Sequence, residues 1–281
     1  MGVRKKTRHC SKFGKMAEFI QVSYFSYTDR GRGKVRNRRY KESSPKQKKL
    51  NEKNSKRYFE ALVRSNFEER GLHVTPTFNK EHKPETEEEA RRELSKFVAR
   101  VNYRRKKKKL PRMRWVAVYE MGKRGGNPHF HIIMDDLLSR DEVEECWHNG
   151  YCNADRIRPD KKDGIAGLAM YLMKDPKGTR KWTSSHGNLT KPWVSINDAP
   201  RAMNKKRLNF MSDLPEDSEY MKQLIERDND GYELVTVEKE FREDTASWYF
   251  FARMKRKHPQ LKKYPQKPQK GGGTVESQFR D

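Results

Sequence analysis

The chain has 281 residues, with 64 Lys and Arg against 39 Asp and Glu and a formal net charge of +25. That length holds one sizeable core, or a core with a smaller appendage, and the charge points to a polyanionic partner, nucleic acid before a membrane surface. The three cysteines, Cys10, Cys146 and Cys152, are too few for a disulfide framework, and no apolar run approaches the ~20 residues of a membrane span; the expectation is a soluble protein with no membrane partner, in a reducing cytoplasm.

Taken in order, residues 1 to about 17 are basic and read as irregular, without the apolar stretch of a signal peptide. "EFIQVSYFSY" alternates well enough for a short strand, and the glycine-containing basic stretch after it reads as an exposed loop, giving a basic N-terminal segment over 1–44. A helix is predicted from Pro45 to Phe67, with Tyr58, Phe59, Leu62 and Val63 as its apolar stripe. "LHVTPTF" at 72–78 is a strand in which Pro76, lacking a donor, predicts an edge or a bulge. Thr86 and Glu89 form a capping-box pattern ahead of Ala90, Leu94, Phe97, Val98 and Val101, a helical spacing that ends in the exposed run Arg104, Arg105, Lys106, Lys107, Lys108, Lys109.

A hairpin follows: "MRWVAVYEMG", a turn at "KRGGN", and "PHFHIIMDD". Ser139 and Glu142 begin a short helix that Gly150 stops, "GYCNADRIRP" is a further strand, and Asp163 is predicted to cap a helix ended by Pro176. Cys146, His148 and Cys152 lack a fourth zinc ligand and a paired C-x-x-C, so they read as a half-buried helix end and strand.

From 72 to 176 the order is strand, helix, strand, strand, helix, strand, helix. That is an α+β, ferredoxin-like or RRM-like pattern: an antiparallel sheet with helices on one face and the other face left for a ligand. "WTSSHGNLTKPW" reads as loop, a C-terminal α+β extension of one helix and two strands at 196–256, and a disordered basic tail at 257–281.

The chemistry sits in "NPHFHIIMDD". Side chains two apart on a strand leave the same face, so His129 and His131 point together, and Glu120, closing the preceding strand, brings a carboxylate to the same end of the sheet. Two imidazole nitrogens and one anionic oxygen suit Mg2+ or Mn2+ acting on a phosphodiester, and zinc would satisfy the same ligands. On the last helix of the pattern, Ile165, Leu168 and Leu172 form the buried stripe and leave Tyr171 and Lys174 as a pair three apart on an adjacent face. Tyrosine, with a free pKa near ~10, needs a cation or metal to become a useful nucleophile.

The H-F-H at 129–131, preceded by Glu120 and followed about forty residues later by Y-L-M-K at 171–174, resembles the HUH endonucleases, and among them the single-tyrosine rolling-circle replication initiators of bacterial plasmids and small phages. "HVTPTF" resembles their first motif, with Pro76 where Leu is usual, and "TSSHGNLTKP" a segment found after the tyrosine in many phage members. The resemblance covers about 45–195. It implies that Tyr171 attacks a scissile phosphate in single-stranded origin DNA, leaving a 5′-phosphotyrosine and a 3′-OH primer. It also implies that Glu120, His129 and His131 hold the metal, and that Lys174 stabilises the developing charge. The implied setting is the cytoplasm of a bacterial host.

With no G-x-x-x-x-G-K-[ST] in the chain, a host helicase would unwind the duplex and a host polymerase extend the primer. With one tyrosine in register, termination would use a second protein copy, or a water activated by Asp163 or Asp175. The basic segments 31–40 and 104–109 are phosphate-binding candidates, and Trp147, Trp182 and Trp193 candidates for base stacking. Two alternatives remain: a non-catalytic RRM-like nucleic-acid-binding protein, and an HUH transposase or relaxase.

Overall fold

A computed structural model places residues 2–11, 17–27, 45–67, 70–122, 126–160, 163–174, 180–198, 200, 203–243 and 246–257. Among these described residues the chain forms two antiparallel five-stranded sheets and six helices, an α+β protein. The basic stretch 31–40 and the tail from 258 lie outside them.

The first sheet is built by β3 (Leu72–Pro76), β4 (Trp115–Glu120), β5 (His129–Met134), β6 (Cys152–Arg156) and the short β7 (Thr183–Ser184), in the order β6-β3-β5-β4-β7. The expected hairpin is its centre, with Trp115 opposite Met134 at one end and Glu120 opposite His129 at the other. Alternation sends Ala117, Tyr119, Phe130, Ile132 and Met134 to one face, where Leu72 and Val74 join them. Onto this face packs α2 (Glu87–Lys107) through Ala90, Leu94, Phe97 and Val101. Each fully buried apolar side chain of this kind is worth roughly 1.5–3 kcal/mol. The Thr86 hydroxyl accepts from the Glu89 N–H, but the Glu89 carboxylate reaches the N–H of Glu85, so only half of the box forms. At α3 (Arg140–Glu144) the box between Ser139 and Glu142 is complete.

Two expectations change here. Pro76 lies in β3, between β6 and β5, and is neither at an edge nor in a bulge. Its missing donor coincides with a gap in the β3–β5 ladder, which stops at Val74 opposite Ile132 and resumes in the same register with Thr77 opposite His129. The opposite face of the sheet is also not wholly free. Val116, Val118 and Ile133 are covered by α1 (Pro45–Phe67), through Phe59, Leu62, Val63 and Phe67, and by α4 (Ala166–Leu172), through Ala169 and Leu172. What stays open is the strip beside these helices, where His73, Thr75, Asn153 and Asp155 alternate with the buried residues of β3 and β6.

The second sheet runs β8-β1-β2-β10-β9, from β1 (Gly2–Cys10), β2 (Phe19–Tyr27), β8 (Trp193–Asn197), β9 (Tyr232–Arg242) and β10 (Ser247–Arg256). Residues 2–10, expected to be irregular, are therefore an interior strand, paired along all nine residues with β2 and along five with β8. Their order comes from partners on both sides, which a run rich in Lys and Arg does not announce. Trp193, expected as the last residue of a loop, opens β8, an edge strand. The helix α5 (Lys205–Asp213), also not foreseen, joins the expected α6 (Glu219–Arg227) on one face, burying Leu208, Met211, Met221, Leu224 and Ile225 against Ile20, Val22, Phe250 and Met254.

Helix α1 separates the two sheets. Its apolar stripe meets the first, and its other side meets the second through ions: Arg57 to Glu238 at 2.9 Å, and buried Glu60 to Arg253 at 2.9 Å. The carbonyl of Arg57 accepts from the Gln21 amide.

Candidate metal centre and nucleophile

Cross-strand pairing assembles the centre. Glu120 is directly opposite His129, and His131 is one pleat further along the same face, so the three side chains converge at the end of β4 and β5. One ligand atom from each of Glu120, His129 and His131 lies within 4.8 Å of the others. His131 Nε2 is 3.2 Å from Glu120 Oε2, and the two rings are 4.9 Å apart at 85°.

The nitrogens facing away are held. His129 Nδ1 is 3.2 Å from the Asn127 carbonyl, which can only accept, so in the neutral ring Nδ1 carries the hydrogen and Nε2 the lone pair. His131 Nδ1 is 3.1 Å from Nε2 of His73, with the rings stacked at 5.2 Å. If His131 Nδ1 donates to His73 Nε2, His131 Nε2 is likewise left as an acceptor facing the carboxylate. Burial, with the charges of His73 and His129 adding to it, lowers the His131 pKa to about 4, and burial lowers that of His73. At neutral pH His131 is therefore uncharged, as a metal ligand must be. This donor set fits a divalent cation.

His73 was not foreseen. It alternates with Leu72 and Val74 in "LHVTP", which places it on the solvent-side face, but only the pairing of β3 with β5 sets it against His131. Asp155 is its cross-strand partner on β6.

Tyr171 stands on α4, 61% exposed, with its ring 6.1 Å from that of His131 at 73°. Lys174 follows the helix cap at Met173, and its N–H bonds the Tyr171 carbonyl. The two residues share a hollow of 480 Å³ with Lys53 and Lys56 of α1 and Arg253 of β10. The helix starts later than predicted: its N-cap is Ile165, and the Asp163 carbonyl accepts from Ala166 N–H and from Arg64. Asp175 lies outside the described residues.

The run 104–109 needs correction. Arg105 is fully buried and ion-paired to buried Asp135, so it holds α2 to the end of β5 and presents nothing to DNA. Asp135, bonded also by Arg114, is thereby committed at the far end of the strand, about 20 Å from His129 at the ordinary rise per residue. Arg104 pairs with Glu145 at 2.7 Å and Lys108 with Glu142 at 2.5 Å.

Trp147 is no stacking platform: it is buried against Phe78 and Phe97, its indole N–H bonding the Thr77 carbonyl. Trp182 packs on Tyr58 and donates to Ser55, while Trp193 is 40% exposed on β8. All three cysteines are buried, and burial raises the Cys152 thiol to about 12, so it stays protonated.

Residues 71–176 match the family model of the Replication-associated protein ORF2/G2P. The matched stretch covers less than half of the chain but includes Glu120, His129, His131, Tyr171 and Lys174 together with His73. The similarity supports a replication-associated role. No curated protein and no solved structure matches the chain.

Proposed function

We propose that the protein is a rolling-circle replication initiator that nicks single-stranded origin DNA through Tyr171 and rejoins strands at termination. The observation that carries this reading is the placement of an exposed tyrosine against one imidazole of a Glu-His-His donor set, within a stretch similar to replication-associated proteins. Glu120, His129 and His131 would hold Mg2+ or Mn2+. When bound, such a cation supplies Lewis-acid polarisation of a phosphate oxygen.

The chain's own groups do the rest. Tyr171 Oη attacks phosphorus, the bond from phosphorus to O3′ breaks, and the phenolic proton is lost while the departing 3′ oxygen gains one. The products are a 5′-phosphotyrosine diester and a free 3′-OH. Lys174 and Lys56, in the same hollow as Tyr171, offer positive charge to the phosphate. Because the phosphodiester is exchanged and not hydrolysed, the step runs backward as ligation. Closing a circle then calls for Tyr171 of a second copy; extension of the 3′-OH falls to a host polymerase, and unwinding to a host helicase.

The test is to incubate the protein and Mn2+ with single-stranded oligonucleotides tiling the replicon that carries its gene. One of them should give an SDS-stable adduct that EDTA prevents. Binding without an adduct across the whole tiling set would favour the RRM-like reading.

A further inference from the structure

From the second sheet we infer a separate binding cleft for single-stranded DNA, set between that sheet and α1. Alternation on β1 sends Arg4, Lys6 and Arg8 to the face that α1 crosses, while Val3 and Thr7 turn to the α5–α6 side. Register then sets Lys6 opposite Ser23 and Arg8 opposite Gln21, with Phe251 and Arg253 of β10 beyond them. α1 covers only part of this face. Between it and β1 lies a cavity of 430 Å³, within the ~300–1,000 Å³ of small-molecule sites.

Lys6, Arg8 and Arg57 line this cavity, with the rings of Tyr58 and Tyr249 and the amide of Asn54, and no carboxylate does. Arg57 is 5% exposed and spends one nitrogen on Glu238, leaving Nη1 without a hydrogen-bond partner; Arg8 bonds Gln21 and leaves Nε without one. Lys6 and Arg8, with no carboxylate on the cavity wall and the half-buried Tyr58 ring beside them, match one nucleotide of a single strand, with phosphate against the two cations and base against Tyr58. The cleft adjoins the hollow holding Tyr171: Arg57 lines both, with Asn51, Asn54 and Tyr58 of α1 on the cleft side and Lys53, Lys56 and Glu60 on the other. A strand bound here is thus held next to the cutting site without entering it.

This inference rests on single-stranded DNA being the substrate, and its test uses no cleavage. Full-length protein is titrated with fluorescein-labelled dT15 across a salt series, beside a Lys6→Gln, Arg8→Gln double variant. The variant should bind about tenfold more weakly at low salt, with a log–log salt slope shallower by about 1. Its adduct yield on a short cleavable oligonucleotide at saturating concentration should equal wild type, which separates this cleft from the metal centre. Unchanged affinity and slope would overturn the inference.

As a control independent of mutant folding, dT15 carrying 5-iodouracil is photocrosslinked to the wild-type protein. Crosslinks at Tyr58 are expected, whereas crosslinks confined to 70–174 would refute the cleft. A duplex of equal length should compete poorly; equal competition would overturn the single-strand assignment.

Discussion

His131 joins the two halves of the candidate centre, with Nε2 facing Glu120 and Nδ1 facing His73. If His73 fixes its tautomer, His73→Ala should weaken Mn2+ binding about 10- to 100-fold, as loss of a partner behind a ligand commonly does. Equilibrium dialysis or EPR of free Mn2+ reads this, and unchanged affinity would mean the imidazoles merely touch. The depressed His131 pKa, about 4 folded against an ordinary 6.5, also sets a sign. As pH falls below about 6.5 the unfolded chain takes up the proton first, so the metal-free protein should lose stability between about pH 6.5 and 4, with no contribution from this group above that window. Urea midpoints at pH 7 and pH 4.5 should differ more for wild type than for His131→Gln; equal differences would contradict the burial of a neutral imidazole.

Among the elements, α2 shows how a sequence signal divides. Its apolar spacing and its cap were legible, because Ala90, Leu94, Phe97 and Val101 repeat at the helical period and Thr86 precedes them. Its basic end was not, since six successive cations look alike until the helix phase turns Arg105 inward to Asp135. Arg105→Ala leaves a buried carboxylate short of its partner and should cost about 3 kcal/mol in urea unfolding. Neutralising Lys106, Lys107 and Lys109 should leave stability within about 0.5 kcal/mol of wild type. If the salt slope for DNA stays as in wild type in that triple variant, these lysines are only a solvated helix end.

At the scale of the whole molecule, the hairpin and its Glu-x8-His-x-His pattern could be read from local alternation, so Glu120, His129 and His131 came together as expected. Of the second sheet, β2, β9 and β10 could be read as strands but their assembly could not, because they come from both ends of the chain and β1 carries charge where a strand signal would show apolar residues. A deletion of residues 1–10 removes an interior strand, and limited proteolysis should then cut within 193–257 while 71–122 stays protected. An unchanged digestion pattern would mean that β1 is dispensable. The central claim is that Tyr171 carries the DNA. Its most direct measurement is to form the adduct with wild-type protein, digest with nuclease and trypsin, and locate the residual nucleotide by mass spectrometry. The account predicts a nucleotide 5′-phosphate on Tyr171 and no adduct from Tyr171→Phe, whose affinity for the same oligonucleotide stays within a few fold; an adduct that survives this substitution and maps to another residue would contradict it.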